Sequence, residues 1–204
     1  EQVLECLSAF VGARGGSDSK LDQALVKVSG NINFSALDTV VTLAYTGSDH
    51  DTTFSLLGLP GFSNSESRGR KIFVDNCSKC HSPIRPFQEV FAACNGLEEN
   101  YADQGLGQLT GNPADNGVFK SPSLRNIALT APYMHDGRFK TLREVINFYS
   151  DEVKNHPNLH PEMLHNGDRN LHLTLQEKDD LLAFLHTLTD QKVISDPRFA
   201  NPFK

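Results

Sequence analysis

The sequence lacks any apolar run approaching the ~20 residues a helix needs to cross a bilayer, so no membrane span is expected. It also lacks a basic excess. Nineteen Lys and Arg stand against 25 Asp and Glu, for a net charge of −6. A nucleic-acid partner is therefore not expected, since it would need a basic face. There is no internal repeat. There is no convincing strand run either, so the expected fold class is mostly α. What the chain does have is enough apolar material for a core. Hydrophobic residues make up 38% and charged residues 22% of 204 residues, a globular balance with room for one sizeable domain or one domain plus an extension.

The opening stretch EQVLECLSAF lacks the basic start and long apolar centre of an export signal. Val3, Leu4, Leu7, Phe10 and Val11 follow helical spacing. Residues 1–13 therefore read as the last turns of a helix that begins elsewhere, and the chain as a piece of something longer. A short helix is expected over 20–28, and another in FSALDTVVTLAY with Ser35 as its N-cap. Residues 65–76 read as an amphipathic helix with Gly69, Ile72 and Phe73 on one face. Thr141 and Glu144 form a capping box that opens a helix over 142–150. Thr174 and Glu177 form another, opening 174–188 with a stripe of Leu181, Leu182, Leu185 and Leu188. Residues 82–120 are loop-rich, and NPADNG (112–117) reads as a turn.

Chemistry concentrates in Cys77-Ser78-Lys79-Cys80-His81. C-x-x-C-H is the attachment pattern of c-type heme. Two thiols add to the vinyl groups as thioethers, and the adjacent histidine binds iron from the proximal side. A redox dithiol or a zinc pair are the other uses of such cysteines, but neither a βαβ setting nor a second ligand pair is visible. One heme c per chain is expected, with 65–76 leading into the motif and 174–188 crossing it, as in a cytochrome c-like heme domain with long loops. Heme c is attached outside the cytoplasm, so a periplasmic or otherwise exported protein is expected. In such a compartment Cys6 and Cys94 could pair as a disulfide or remain buried thiols. His156, His160 and His165 sit on backbone broken by Pro157 and Pro161, and read as a solvated loop. His50, His172 and His186 read as surface residues.

GRKIF…CSKCH, NGL at 95–97, FKSPSLRN, TAPYMHDGRFKTL and LTLQEKDDLLAFLHTLTD occur in order over 65–190. Together they closely resemble the C-terminal heme domain of the bacterial diheme cytochrome c peroxidase and MauG-like family. The resemblance implies two units. Residues 1–64 would hold the interdomain segment and an insertion, at the end of a missing N-terminal heme domain. Residues 65–204 would form the heme domain. Family members carry two C-x-x-C-H motifs, whereas this chain has one, and it has no tryptophan where the family commonly places one between hemes. The implied role is the electron-transfer half of a diheme oxidoreductase. It would relay electrons to or from a peroxide-reacting heme on the N-terminal domain or another heme-bearing chain, with a redox protein as further partner. A monoheme electron carrier and a heme-bearing structural subunit are the alternatives. The resemblance also implies calcium on the backbone carbonyls of Thr130 and Pro132. On chemical grounds Arg125 is a candidate for a heme propionate, and His135 for the same task.

The distal iron ligand is an open choice in APYMHDGRFKTLREVINFY. Met134 is the familiar partner of a proximal histidine, but it falls between Pro132 and the turn Asp136-Gly137, where it is expected to pack in the loop. Tyr149 is expected as the ligand, on the buried face of the capped helix beside Val145 and Ile146. The resemblance agrees: the peroxidase branch has Met at the matching position and the MauG-like branch has Tyr.

Overall fold

The computed structural model describes residues 18–29, 59–81 and 90–197. Regular structure there is mostly helical. In chain order it comprises α1 (Lys20–Ser29), α2 (Asn64–Asn76), β1 (Ala92–Ala93), α3 (Leu106–Thr110), β2 (Phe119–Lys120), α4 (Leu142–Asn147), α5 (Leu175–His186) and α6 (Gln191–Ser195). The strand pair is antiparallel, with Ala92 opposite Lys120 and Ala93 opposite Phe119. It is a correction to the sequence reading. Two residues per strand are too few to leave an alternating pattern. The expected helices at 1–13 and after Ser35, together with Cys6 and His50, lie outside the described residues.

Local signals set the helix ends. Both expected capping boxes form, Thr141 with Glu144 and Thr174 with Glu177. A third, Ser63 with Glu66, starts α2. Each satisfies two backbone N–H groups that a helix N-terminus leaves without partners.

The core forms where α2 crosses α5. Gly69 is the contact point: a Cβ there would collide with the Asp180 carbonyl and lie 2.9 Å from Phe184 Cβ. Only glycine lets the two backbones approach this closely. Phe73 and Phe184, each 1% exposed, pack beside it with ring centroids 5.1 Å apart. Leu181, Leu185 and Leu188 fill the rest, with Leu142 and Ile146 from α4. Leu21, Ala24 and Leu25 of α1 join the same core, although the sequence reading assigns them to the segment before the heme domain. At the crossing, the buried Asp180 carboxylate accepts from Ser65 Oγ (2.5 Å), from Arg68 Nε (2.6 Å) and Nη2 (2.9 Å), and from Gln176 Nε2 (3.0 Å).

A second, smaller cluster holds Cys94, Leu97, Tyr101, Phe148 and Val153, with Met134, Tyr149 and Met163 packed against it. Long loops build it, tied together by backbone bonds. His160 N–H donates to Cys94 O at 3.0 Å and Lys154 N–H to Gly96 O at 2.7 Å.

Candidate heme-binding site

Cys77 and Cys80 follow α2 without a break. The amides of Cys80 and His81 donate to the Cys77 carbonyl at 3.2 and 2.9 Å, so the chain coils tightly through the motif. Burial raises both thiols, Cys77 to about 12, so neither is a ready thiolate. His81 Nδ1 lies 2.9 Å from the Pro122 carbonyl. A carbonyl can only accept, so Nδ1 carries the proton and Nε2 keeps the lone pair. Among the described residues no hydrogen bond reaches Nε2. Burial also holds the imidazole below its ordinary pKa, against the pull of the Pro122 carbonyl. A neutral ring with a fixed tautomer is what a metal ligand requires. Pro122 lies in FKSPSLRN, a stretch whose part in orienting His81 is invisible without the fold.

Tyr149 does not sit on the face of Val145 and Ile146. The α-helix ends at Asn147, and a π turn carries the chain over Phe148–Glu152. The wider turn rotates the following side chains. Val145 and Ile146 stay in the main core while Phe148 and Tyr149 turn to the second cluster. The turn is held from outside: Leu171 N–H donates to Tyr149 O at 3.2 Å and His172 N–H to Ser150 O at 2.8 Å. Burial pushes the Tyr149 phenol up to about 12, and the Asn95 amide opposes that shift. Charge on Cys77 or Cys80 would raise it further, as expected of groups close to one another.

Met134 is half-buried, with φ at 72°. Its sulfur and the Tyr149 hydroxyl lie 3.9 and 3.2 Å from the same donor, Asn95 Nδ2. Met134 packs against the second cluster, where it shares a neighbour with its rival.

The remaining candidates are dispersed. The Arg125 fork closes on Asp22, Nη1 to Oδ2 and Nη2 to Oδ1, both at 2.8 Å. It thereby ties α1 to the body through a protein carboxylate. His135 is exposed and stacks on Phe119, with centroids 3.9 Å apart. Thr130 and Pro132 are exposed on a loop. His156 corrects the solvated-loop expectation. It is 8% exposed, accepts from Asn158 N–H at 3.1 Å and meets Cys94 Sγ at 3.5 Å. Cys94 is buried as a thiol, and Cys6, the other half of the open pairing, lies outside the described residues. His172 and His186 are exposed, and NPADNG forms a turn through Pro113–Asp115.

No family model matches the sequence. Individual proteins do. The chain is 32% identical over 169 residues to methylamine utilization protein MauG of Paracoccus denitrificans, covering 64% of itself and 44% of that protein. It is 45% identical over 87 residues to cytochrome-c peroxidase IdrP1 of Pseudomonas sp. strain SCT, covering 43% of itself and 22% of that protein. A solved MauG-like protein associated with microbial copper homeostasis superposes with a TM-score of 0.60 at 34% identity, covering 74% of this chain and 55% of that one. The chain thus spans less than half the length of these two curated relatives. The matches to MauG, to the IdrP1 peroxidase and to the MauG-like structure place the chain in the MauG-like diheme peroxidase family.

Proposed function

We propose that the chain is the heme c electron-transfer half of a diheme, peroxidase-like oxidoreductase. It exchanges electrons with a peroxide-reacting heme carried on another domain or chain. The observation that carries this reading is the Pro122 carbonyl on His81 Nδ1, which leaves Nε2 for iron, with Tyr149 near enough to Cys77 and Cys80 to feel their charge. The donor set fits the group: two thiols for thioether bonds, one neutral imidazole and one phenol. Heme bound here supplies one-electron chemistry. The chain's own part would be to hold His81 in one tautomer, to attach the group through Cys77 and Cys80, and to offer Tyr149 as the second ligand. A phenolate is a hard anionic donor and favours ferric iron, so a low potential follows. Export to the periplasm belongs to the same reading, because c-type attachment happens there.

Other roles are secondary. A propionate contact by Arg125 would share the guanidinium with Asp22, whereas His135 is exposed and open to one. Calcium on the carbonyls of Thr130 and Pro132 would need about four to six further oxygens from water and the other domain. The single C-x-x-C-H motif favours, as the second reading, a monoheme carrier.

Two measurements test the proposal. Peroxidase activity is expected in the longer protein that also carries the second heme, and not in this chain alone. A longer protein without a second heme motif would leave the carrier. In the ferric protein, Tyr149→Phe is expected to change the ligand-field spectrum and Met134→Leu to leave it. The reverse pattern assigns the iron to Met134.

A further inference from the structure

The Asn95 carboxamide is fixed by groups outside the ligand pair. Its Oδ1 accepts from Leu97 N–H at 3.2 Å and from Tyr101 O–H at 3.4 Å. A backbone N–H can only donate, so the atom facing Leu97 is the oxygen, and the amide has one orientation. Nδ2 must then point the other way, at Tyr149 Oη (3.2 Å) and Met134 Sδ (3.9 Å). Tyr101 is itself locked: its hydroxyl accepts from Leu97 N–H at 2.7 Å. On either side, Cys94 O and Gly96 O are bonded to His160 and Lys154. Gly96, at φ +70°, has no room for a Cβ, which would lie 2.7 Å from Lys154 O.

We propose that Asn95 is a positioning residue that selects Tyr149 over Met134 as the distal ligand, by aiming one fixed N–H donor at the phenolic oxygen. The argument rests on the difference between the two acceptors. A thioether is a weak acceptor, and an anionic oxygen is a strong one. One donor shared between them favours the arrangement in which the oxygen carries negative charge, which is the iron-ligating form of tyrosine. The same bond restrains the ring, which sits on a π turn rather than on a regular helix. The inference rests on the proposed Tyr149 ligation and adds the residue that enforces it.

Asn95→Asp is the sharpest test. It keeps the shape and the acceptor for Leu97 and Tyr101, but turns the donor facing Tyr149 into an acceptor. Asn95→Ala removes the donor without burying a charge. Both are made in the full-length, heme-loaded protein. Each is expected to shift the ferric spectrum toward that of Tyr149→Phe and to raise this heme's midpoint potential. In a Tyr149→Phe background neither should shift spectrum or potential further, because Asn95 acts through Tyr149. If Tyr149→Phe changes the spectrum while both Asn95 variants leave spectrum and potential alone, the inference is wrong and the ligand reading stands. If Tyr149→Phe itself changes nothing, the ligand reading fails first. Should neither Asn95 variant load heme, resonance Raman of the wild-type ferric protein decides. A phenolate mode that moves in D2O reports an exchangeable donor on Tyr149, and an unmoved mode overturns the proposal.

Discussion

The α2–α5 crossing and the Asn95–Tyr149 cradle are built by opposite means. The crossing joins two capped helices through apolar surface and one glycine. Its strongest polar feature, Asp180, sits at the contact and ties Ser65, Arg68 and Gln176 to it. The cradle has little regular structure. A sheet of two two-residue strands, a π turn and several loops hold it, linked by backbone bonds between residues about 60 positions apart, such as Cys94 with His160. The crossing fixes where the cysteines emerge, and the cradle fixes what faces them. Rigidity through packing and placement through hydrogen bonds are therefore assigned to different parts of one small molecule.

The largest loss is expected at Gly69. Gly69→Ala forces α2 away from the Asp180 carbonyl, which is helix backbone and cannot swing aside. A loss of about 3 kcal/mol or more is expected, at the upper end of overpacking, with poor heme incorporation. Thermal unfolding of the heme-loaded protein, alongside its heme-to-protein absorbance ratio, reads both.

Gly96→Ala should separate the two regions. The new side chain meets Lys154 O and Val153 Cγ1, at 2.7 and 2.8 Å, in a positive-φ position. The expected cost is about 1–3 kcal/mol, smaller than at Gly69. The ferric spectrum should nevertheless change more per unit of lost stability, because Asn95 is the preceding residue. A spectrum unchanged at equal destabilisation would mean that the cradle does not govern the ligand.

The smallest effect is expected at Asp180, and it depends on pH. Hydrogen bonds from Arg68, then Ser65 and Gln176, hold its carboxyl below the ordinary value. A depressed folded-state pKa contributes stability that is full above the unfolded value, about 4. That contribution is lost as pH falls through the lower folded value. Asp180→Asn should cost roughly 1–2 kcal/mol at neutral pH and flatten the decline below about pH 4. Chemical denaturation at a series of pH values measures it, and an identical acid slope in both proteins would contradict the assignment.

Short-range grammar was readable from the chain. Thr141 with Glu144 and Thr174 with Glu177 each start a helix three residues apart, and both boxes form where expected. C-x-x-C-H and Gly69-x-x-Ile72-Phe73 likewise act within one or two turns of backbone. Tyr149 was a different matter. Helical spacing assigned it to the face of Val145 and Ile146, but the π turn that moves it is held by Leu171 and His172, twenty residues downstream. The burial of His156 is hidden for the same reason, since Cys94 and Tyr101, which pack against it, precede it by more than fifty residues. Asn95 had a visible signal, the Asn-Gly-Leu stretch that carries part of the family resemblance, and it said nothing of where the amide points.

By itself, then, the sequence determined the capped helices, the helical class and the thiol–imidazole motif, because each depends on residues within a few positions of one another. The tertiary structure decided the His81 tautomer, the Arg125–Asp22 pair, the rotation of Tyr149 and the aim of the Asn95 amide. Each of these depends on which distant backbone group reaches a polar atom, and hydrogen bonds between distant segments leave no periodic trace in the chain.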